Sequence, residues 1–340
     1  MMTERPGTYP CILGIESSCD ETSAAILQGF QVRSHIVYSQ MVHKKYGGVV
    51  PELASRAHEH AISQVVHAAF ETAGLLPGDI DAIAVTYGPG LMGALLVGLN
   101  YAKGFALAQN IPFIGVNHVE AHLYAPMLEF PELEPPFLCL LVSGGHTMLV
   151  DVRGVRDFRI LGTTRDDAAG ESFDKTARLL KIGYPGGPVI DTLSSSGNPR
   201  AVHFPRSLLD PDSLDFSFSG MKTAVLNFVK KQETISDRDK ADIAASFQEA
   251  VVDVLKEKVR RAIQVTGHRR VVLAGGVAAN RRLRQELRKL ADSLKVELFY
   301  PPLEYCTDNA AMIAATGVMY FRKGWFSGLE TGAVPNLKLT

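Results

Sequence analysis

The chain is short of cysteine, of net charge and of long apolar runs, and each shortage excludes something. Its four cysteines, Cys11, Cys19, Cys139 and Cys306, are widely scattered and never in CxxC spacing. They support neither a disulfide framework nor a cysteine zinc site and read as reduced thiols of a cytosolic protein. No uncharged apolar run approaches the ~18–20 residues of a membrane span. The opening stretch Met1 to Pro10 is polar and broken by Pro6 and Pro10, which is unlike a signal peptide. A cytoplasmic protein with no membrane partner is therefore expected. A net charge of −1 points to no bulk electrostatic partner, although local patches can still exist. A Walker phosphate loop, GxxxxGK[ST], is also missing.

What is present describes a globular enzyme-sized chain. Hydrophobic residues make up 46% and charged residues 21%, an ordinary balance. At 340 residues it is long for one core, so two domains of ~150–170 residues are expected. Hydrophobic patterning predicts strands near 10–16, 23–29 and 32–39, a helix over 52–74, a strand at 82–87, a helix at 91–109, a strand at 111–116 and a helix from 118. The pattern restarts with strands at 137–142, 146–152 and 156–161. A largely helical stretch covers about 170–267, followed by strand 271–274, helix 280–291, strand 295–299 and a helix from 308. Both halves read β-β-β-α-β-α-β-α, without a visible sequence repeat. Two such units packed face to face make an α/β, two-lobed actin and sugar-kinase-like (ASKHA) fold with a nucleotide in the cleft. The expected lobes are 1–131 and 132–340, the second carrying the insertion at about 170–267, with a final helix that can pack back on the first.

Two histidines four apart, in Asn117-His118-Val119-Glu120-Ala121-His122, follow the first-half strand at 111–116. On a helix, positions i and i+4 share a face, so both imidazoles can address one metal ion; alternatively they are two unrelated surface histidines. Asp308 opens the equivalent helix of the second half, in Thr307-Asp308-Asn309. Equivalent places in a duplicated fold open on the same cleft, so His118, His122 and Asp308 could share a metal. The competing reading makes Asp308 a helix N-cap. Two His and one carboxylate with open positions suit catalytic Fe²⁺ or Zn²⁺.

Three glycine loops look built for phosphate: Gly14 to Thr22, Val142-Ser143-Gly144-Gly145-His146-Thr147, and Leu273-Ala274-Gly275-Gly276-Val277-Ala278-Ala279-Asn280. Glycine lets backbone N–H groups approach phosphate oxygens closely, and a helix N-terminus adds partial positive charge. In the insertion, Asp174 and Asp191 could bind ribose hydroxyls or simply cap and solvate. Phe216-Ser217-Phe218-Ser219-Gly220-Met221-Lys222-Thr223 could close over a substrate or be a packed connector.

The segments GIESSCDET, YGPGLMGALLVG, NHVEAH, LVSGGHT, GESFDK, YPGGP, FSFSGMKT, AGGVAAN and CTDNAAM together resemble the tRNA N6-adenosine threonylcarbamoyltransferases, the TsaD family, formerly called O-sialoglycoprotein endopeptidases. The resemblance runs in order from about Cys11 to Tyr320 and looks like the bacterial or organellar branch. It implies that His118, His122 and Asp308 are metal ligands. It implies that Leu141, Val142, Ser143, Gly144, Gly145, Asp174, Gly187, Asp191 and Asn280 bind the adenylate, with ATP or AMP as mimics. The implied reaction moves a threonylcarbamoyl group from threonylcarbamoyl-AMP to N6 of the adenosine 3′ of the anticodon, in tRNAs reading codons that start with A, and releases AMP. Ser18, Asp20 and Glu21 are the candidates for positioning and deprotonating the amine. Implied partners are tRNA, a paralogous non-catalytic subunit of the TsaB type and a P-loop ATPase of the TsaE type. Arg281, Arg282, Arg284, Arg288 and Lys289, with Arg269 and Arg270 nearby, could contact tRNA or be a solvated face.

Two other activities compete. A metalloprotease of the HExxH kind needs its Glu one residue after the first His; Glu120 is two after His118, ~200° round the helix. A kinase or ATPase of the same superfamily needs no His/His/Asp cage, since Mg²⁺ prefers oxygen ligands. A non-catalytic paralogue would lack the histidines and the later glycine loop, and both are here.

Overall fold

A computed structural model describes residues 9–46, 48–207 and 212–339. Three strands open it: β1 (Cys11–Glu16), β2 (Glu21–Gln28) and β3 (Gln31–Ser39). Then come α1 (Pro51–Ala73), β4 (Ala82–Gly88), α2 (Met92–Gln109), β5 (Phe113–Asn117) and α3 (His118–Tyr124). The sheet order is β3-β2-β1-β4-β5, with β1 antiparallel to β2 and parallel to β4. All six residues of β1 are buried, as a central strand covered on both faces requires. Helix α1 starts with a proline in its first turn and ends at Gly74 in the left-handed conformation. Its buried stripe Ala54, His58, Ala61, Ile62, Val65 and Ala69 follows the helical period.

The same plan repeats in β6 (Phe137–Val142), β7 (Thr147–Gly154) and β8 (Asp157–Thr163). The helical stretch resolves into α4 (Ala169–Leu180), α5 (Gly186–Ser194), α6 (Ser219–Lys230) and α7 (Asp237–Thr266), followed by β9 (Arg270–Ala274), α8 (Arg281–Leu294) and β10 (Glu297–Phe299). The second sheet reads β10-β9-β6-β7-β8, which is the first sheet's order taken from its other edge. The duplication expected from element order is therefore present in strand pairing. Phe173, Phe204, Phe216, Phe218 and Phe247 build this unit's core with α7. Ser236 caps α7 in a reciprocal box with Asp239.

The last helix, α9 (Ala310–Arg322), belongs to the first unit. The two compact units are the chain up to Leu133 together with Asp308–Leu339, and Glu134–Thr307. Sequence reading places 308–340 in the second lobe, with the helix able to pack back. The physical reason for the grouping is small side chains: a Cβ on Gly14 of β1 would strike the Ala310 carbonyl and lie 2.8 Å from the Ala314 Cβ. On the helix side, a Cβ on Gly317 would lie 2.6 Å from that of Ala84 in β4. Helix and sheet thus approach at backbone distance, and Asp308 is carried to the first unit. No helix is long and apolar enough to cross a membrane, among the described residues.

Candidate metal centre and adenylate loops

Asn117 ends β5 and caps α3: its Oδ1 accepts from the Val119 N–H at 2.9 Å and the Glu120 N–H at 3.3 Å. The helix therefore begins at His118, and His118 and His122 stand one turn apart, ring centroids 4.9 Å apart and planes near perpendicular at 88°. Both are buried. Asp308 joins them from 186 residues beyond His122. Its Oδ1 lies 3.4 Å from His118 Nε2 and 3.2 Å from His122 Nε2. One donor atom from each of the three lies within 4.8 Å of the others. The N-cap of α9 is Asn309, whose side chain accepts from the Met312 N–H at 3.0 Å. Asp308 sits one residue outside the helix, and its carboxylate is free to meet the histidines.

Behind His118 stands a carboxylate that sequence reading missed. His118 Nδ1 donates to Glu16 Oε2 at 2.9 Å, and Ser18 Oγ lies 3.3 Å from the same nitrogen. Thr86 Oγ1 donates to that same Glu16 oxygen at 2.7 Å, while the Ser18 N–H donates to Oε1 at 2.5 Å. A carboxylate holding Nδ1–H fixes the tautomer and aims Nε2 outward, the usual support for a metal-ligating histidine. The signal available in sequence was one acid closing an otherwise apolar, fully buried strand, Cys-Ile-Leu-Gly-Ile-Glu.

The charges agree with a cation site. Burial alone would lower His118, but the Asp308 and Glu16 carboxylates outweigh it and hold the imidazole well above its usual range. Burial would raise Asp308, but His118 and then His122 hold it well below. Burial, helped by the Asp20 and Asp308 charges, pushes Glu21 up to about 9. Buried His122 Nδ1 has no hydrogen-bond partner, and the ring's other nitrogen faces the Asp308 carboxylate. Two imidazoles and one carboxylate with converging donor atoms, and further acids close by, fit a divalent cation. Glu120 is buried but does not belong to the converging set.

Ser18, Asp20 and Glu21 lie on the β1–β2 loop of the same unit. Ser18 is buried, and its carbonyl accepts from the Leu91 N–H at 2.8 Å. Buried His58 of α1 pins the loop from behind: it donates from Nε2 to the Cys19 carbonyl at 3.0 Å and accepts from Thr22 Oγ1 at 2.7 Å.

The residues expected to bind adenylate all lie in the second unit. Leu141 and Val142 are buried in β6, so only their backbone is available. Ser143-Gly144-Gly145 turns the chain, with the Ser143 N–H donating to the His146 carbonyl at 2.7 Å. A Cβ on Gly144, Gly145 or Gly187 would meet nothing within 4 Å, so space is open above each. Gly275 has φ +87° and would bring a Cβ within 2.5 Å of the Val142 carbonyl, which joins the Ser143 and Gly275 turns at the carboxyl ends of adjacent strands β6 and β9. That end of a parallel pair is where doubly wound sheets hold ligands. Asp174 accepts from the Gly186 N–H at 2.7 Å, and burial raises its carboxyl. Asp191 accepts from Arg281 Nε at 2.7 Å. Asn280 caps α8 through the Leu283 N–H at 2.9 Å and donates to Gln248 at 2.7 Å. These last two are thus tied within the protein.

The aromatic-hydroxyl loop is organised by Asp166, which accepts from the Phe218 N–H at 2.8 Å and from the Ser217 and Ser219 hydroxyls at 2.6 and 2.7 Å. Phe216 and Phe218 themselves are core. The arginines of α8 are also engaged. Arg282 forms a two-pronged pair with Glu249 at 2.7 and 2.8 Å, and Arg284 donates to the Ala278 and Pro301 carbonyls and lies over Tyr300. Arg288 reaches Tyr300 Oη at 3.2 Å, and Lys289 pairs with Glu286 at 2.9 Å. Arg281, Arg282 and Lys289 thus pair with acids of the same unit, Arg281 and Lys289 at its exposed surface.

Two units of one strand order, one of them carrying converged His, His and Asp side chains, define a duplicated α/β architecture of the actin and sugar-kinase-like kind. Solved structures agree on the fold. HypF of T. kodakarensis matches with TM-score 0.65 at 14% identity over 96% of this chain and 50% of its own. The activator of the 2-hydroxyisocaproyl-CoA dehydratase from Clostridium difficile, solved with bound ADPNP, matches with TM-score 0.52 at 16% identity, over 92% of this chain and 97% of its own. The family model described as TsaD, tRNA N6-adenosine threonylcarbamoyltransferase, matches residues 31–315. A protein of that name from Clostridium beijerinckii is 53% identical over 331 residues, 96% of this chain and 98% of its own. Another, from Clostridioides difficile, is 52% identical over 334 residues, 96% and 98% of the two chains. The chain belongs to the tRNA N6-adenosine threonylcarbamoyltransferase (TsaD) family.

Proposed function

We propose that the chain transfers the threonylcarbamoyl group of threonylcarbamoyl-AMP to N6 of the adenosine 3′ of the anticodon, in tRNAs that read codons starting with A, and releases AMP. The observation that carries this reading is the match to the transferase family across residues 31–315, which spans both His118 and Asp308. His118, His122 and Asp308 would hold one Fe²⁺ or Zn²⁺ ion, which supplies Lewis-acid polarisation when bound. Glu16 keeps the Nδ1 proton of His118 and so keeps Nε2 available. The Gly144-Gly145 and Gly275-Gly276 turns would offer backbone N–H groups to the adenylate phosphate, the Ser143 N–H being used within its own turn, with Asp174 and Gly187 nearer its sugar. Asp191 and Asn280, tied to Arg281 and to Gln248, would shape that site more than donate to it. Ser18, Asp20 and Glu21 orient the amine, and Asp20 accepts its proton as the new C–N bond forms and the carbonyl carbon–oxygen bond to the AMP phosphate breaks; Glu21, pushed up to about 9, already holds its proton near neutral pH.

A TsaB-type paralogue and a TsaE-type ATPase are proposed partners, and the cytoplasm the proposed location. The protease reading is disfavoured because Glu120 follows His118 by two residues, ~200° round α3, where the base of an HExxH site follows by one. The test is incubation with threonylcarbamoyl-AMP and unmodified tRNA, with and without the partners, followed by nucleoside mass spectrometry. Modified adenosine at the position 3′ of the anticodon is expected. Its absence under every combination would reject the proposal.

A further inference from the structure

The segment after α9 runs back along the first sheet and ends on the residue that starts the ligand-bearing helix. Strand β5 is an edge of that sheet, and Phe113 forms an antiparallel bridge with Ser327. Ser327 N–H donates to the Phe113 carbonyl at 2.8 Å, and its Oγ accepts from the Gly115 N–H at 2.9 Å. Further along, the Val334 N–H donates to the Tyr87 carbonyl at 2.8 Å, and the Gly90 N–H donates to the Pro335 carbonyl at 3.1 Å. Gly88 makes room: a Cβ there would strike the Val334 carbonyl and lie 2.9 Å from the Leu337 Cβ. Leu339 is buried. Between Leu337 and Leu339, the Lys338 carbonyl accepts from Asn117 Nδ2 at 3.0 Å.

Asn117 is therefore held at both ends of its amide. Oδ1 fixes the first turn of α3, and Nδ2 is tied to the strap, in a side chain that is only 8% exposed including its backbone. An amide with one end free could rotate about its side-chain torsions and let the helix start drift; tied at both, it cannot. His118 is the next residue and His122 one turn on, so their direction toward Asp308 depends on this anchor.

We propose that Asn117 is a positioning residue for the metal ligands and that the strap Val334–Leu339 sets metal affinity through its Lys338 carbonyl. The inference rests on the reading of His118, His122 and Asp308 as ligands. Metal sites lose about 10–100-fold in affinity when an orienting partner outside the ligand set is removed.

The test uses Co²⁺, whose visible absorption reports ligand geometry, with affinity measured by chelator competition. Four chains are compared with wild type: Asn117→Ser, a chain ending at Ala333, the two changes combined, and His118→Ala. Serine retains an N-cap acceptor but cannot donate to Lys338. Asn117→Ser and the shortened chain are each expected to bind about tenfold more weakly with altered band intensity. The combination should be no worse than the shortened chain alone, because the link that Asn117→Ser cuts is already gone there. Wild-type affinity and spectrum in Asn117→Ser would overturn the proposal, as would losses that add in the combined chain. If the shortened chain does not fold, Asn117→Ser decides alone. Full Co²⁺ binding by His118→Ala would instead reject the ligand reading beneath it.

Discussion

Glu16 stands behind the histidine pair and not in the converging donor set. Its two oxygens receive His118, Thr86 and the Ser18 N–H, so it couples the β1–β2 loop to the histidine pair. Glu16→Gln keeps the shape but loses the charge that favours Nδ1–H, and should weaken metal binding about tenfold. Chelator competition checks it; unchanged affinity would leave Glu16 a purely structural acid. His118→Ala, His122→Ala and Asp308→Ala should each abolish bound metal while the circular dichroism spectrum stays native. Glu120→Gln should leave metal content as it is, measured by elemental analysis of the same preparations. The histidines were legible in sequence because i and i+4 is a pattern. Glu16 was not, because a single acid at a strand end looks like any strand terminus until its partners from β4 and α3 arrive. The capping role at 309 rather than 308 was also beyond reach, since adjacent Asp and Asn are equivalent candidates by type.

Elements carry two further expectations. Helix α9 approaches β1 and β4 only because Gly14 and Gly317 have no side chains. Gly317→Val should push the helix from the sheet, cost about 1–3 kcal/mol by overpacking and displace Asp308 from the histidines. A thermal melt and metal titration of one variant read both effects. The Phe216–Ser219 loop depends on Asp166. Partial burial would raise this carboxyl, but hydrogen bonds from Ser217, Phe218 and Ser219 outweigh it and hold it below its usual range. A depressed folded-state value stabilises the loop above the unfolded carboxylate range near pH ~4, and that contribution fades as pH falls through the folded value. Protection of the Phe218 and Ser219 amides, expressed relative to their intrinsic exchange rate at each pH, should fall as acid is added, while Asp166→Asn should show low protection at every pH. Strand and helix order could be read from periodicity alone. That the stretch holds four separate helices among the described residues, and which of the two readings of its aromatic loop holds, could not, because phenylalanine patterning does not say which surface receives the rings.

At the scale of the whole molecule, the duplication was visible as element order and appears as the same strand order in both sheets. Sequence reading assigns 308–340 to the second lobe while allowing its helix to pack back on the first, and leaves the choice open because small residues read equally well for any close packing. The tRNA surface needs separate treatment. The α8 arginines, a candidate in sequence, are occupied by Asp191, Glu249, Glu286 and backbone carbonyls. Neutralising Arg282 and Arg284 should lower the melting temperature yet change the salt slope of tRNA binding by less than the roughly one unit each that phosphate contacts would give. The most direct measurement of the central claim is the ratio of AMP released to N6-threonylcarbamoyladenosine formed, with the partners present, for the wild type and Asp308→Ala. The wild type should give one of each per turnover, and Asp308→Ala should give neither while still binding AMP. Modified tRNA made at the wild-type rate by Asp308→Ala would contradict the assignment of the metal centre to the transfer.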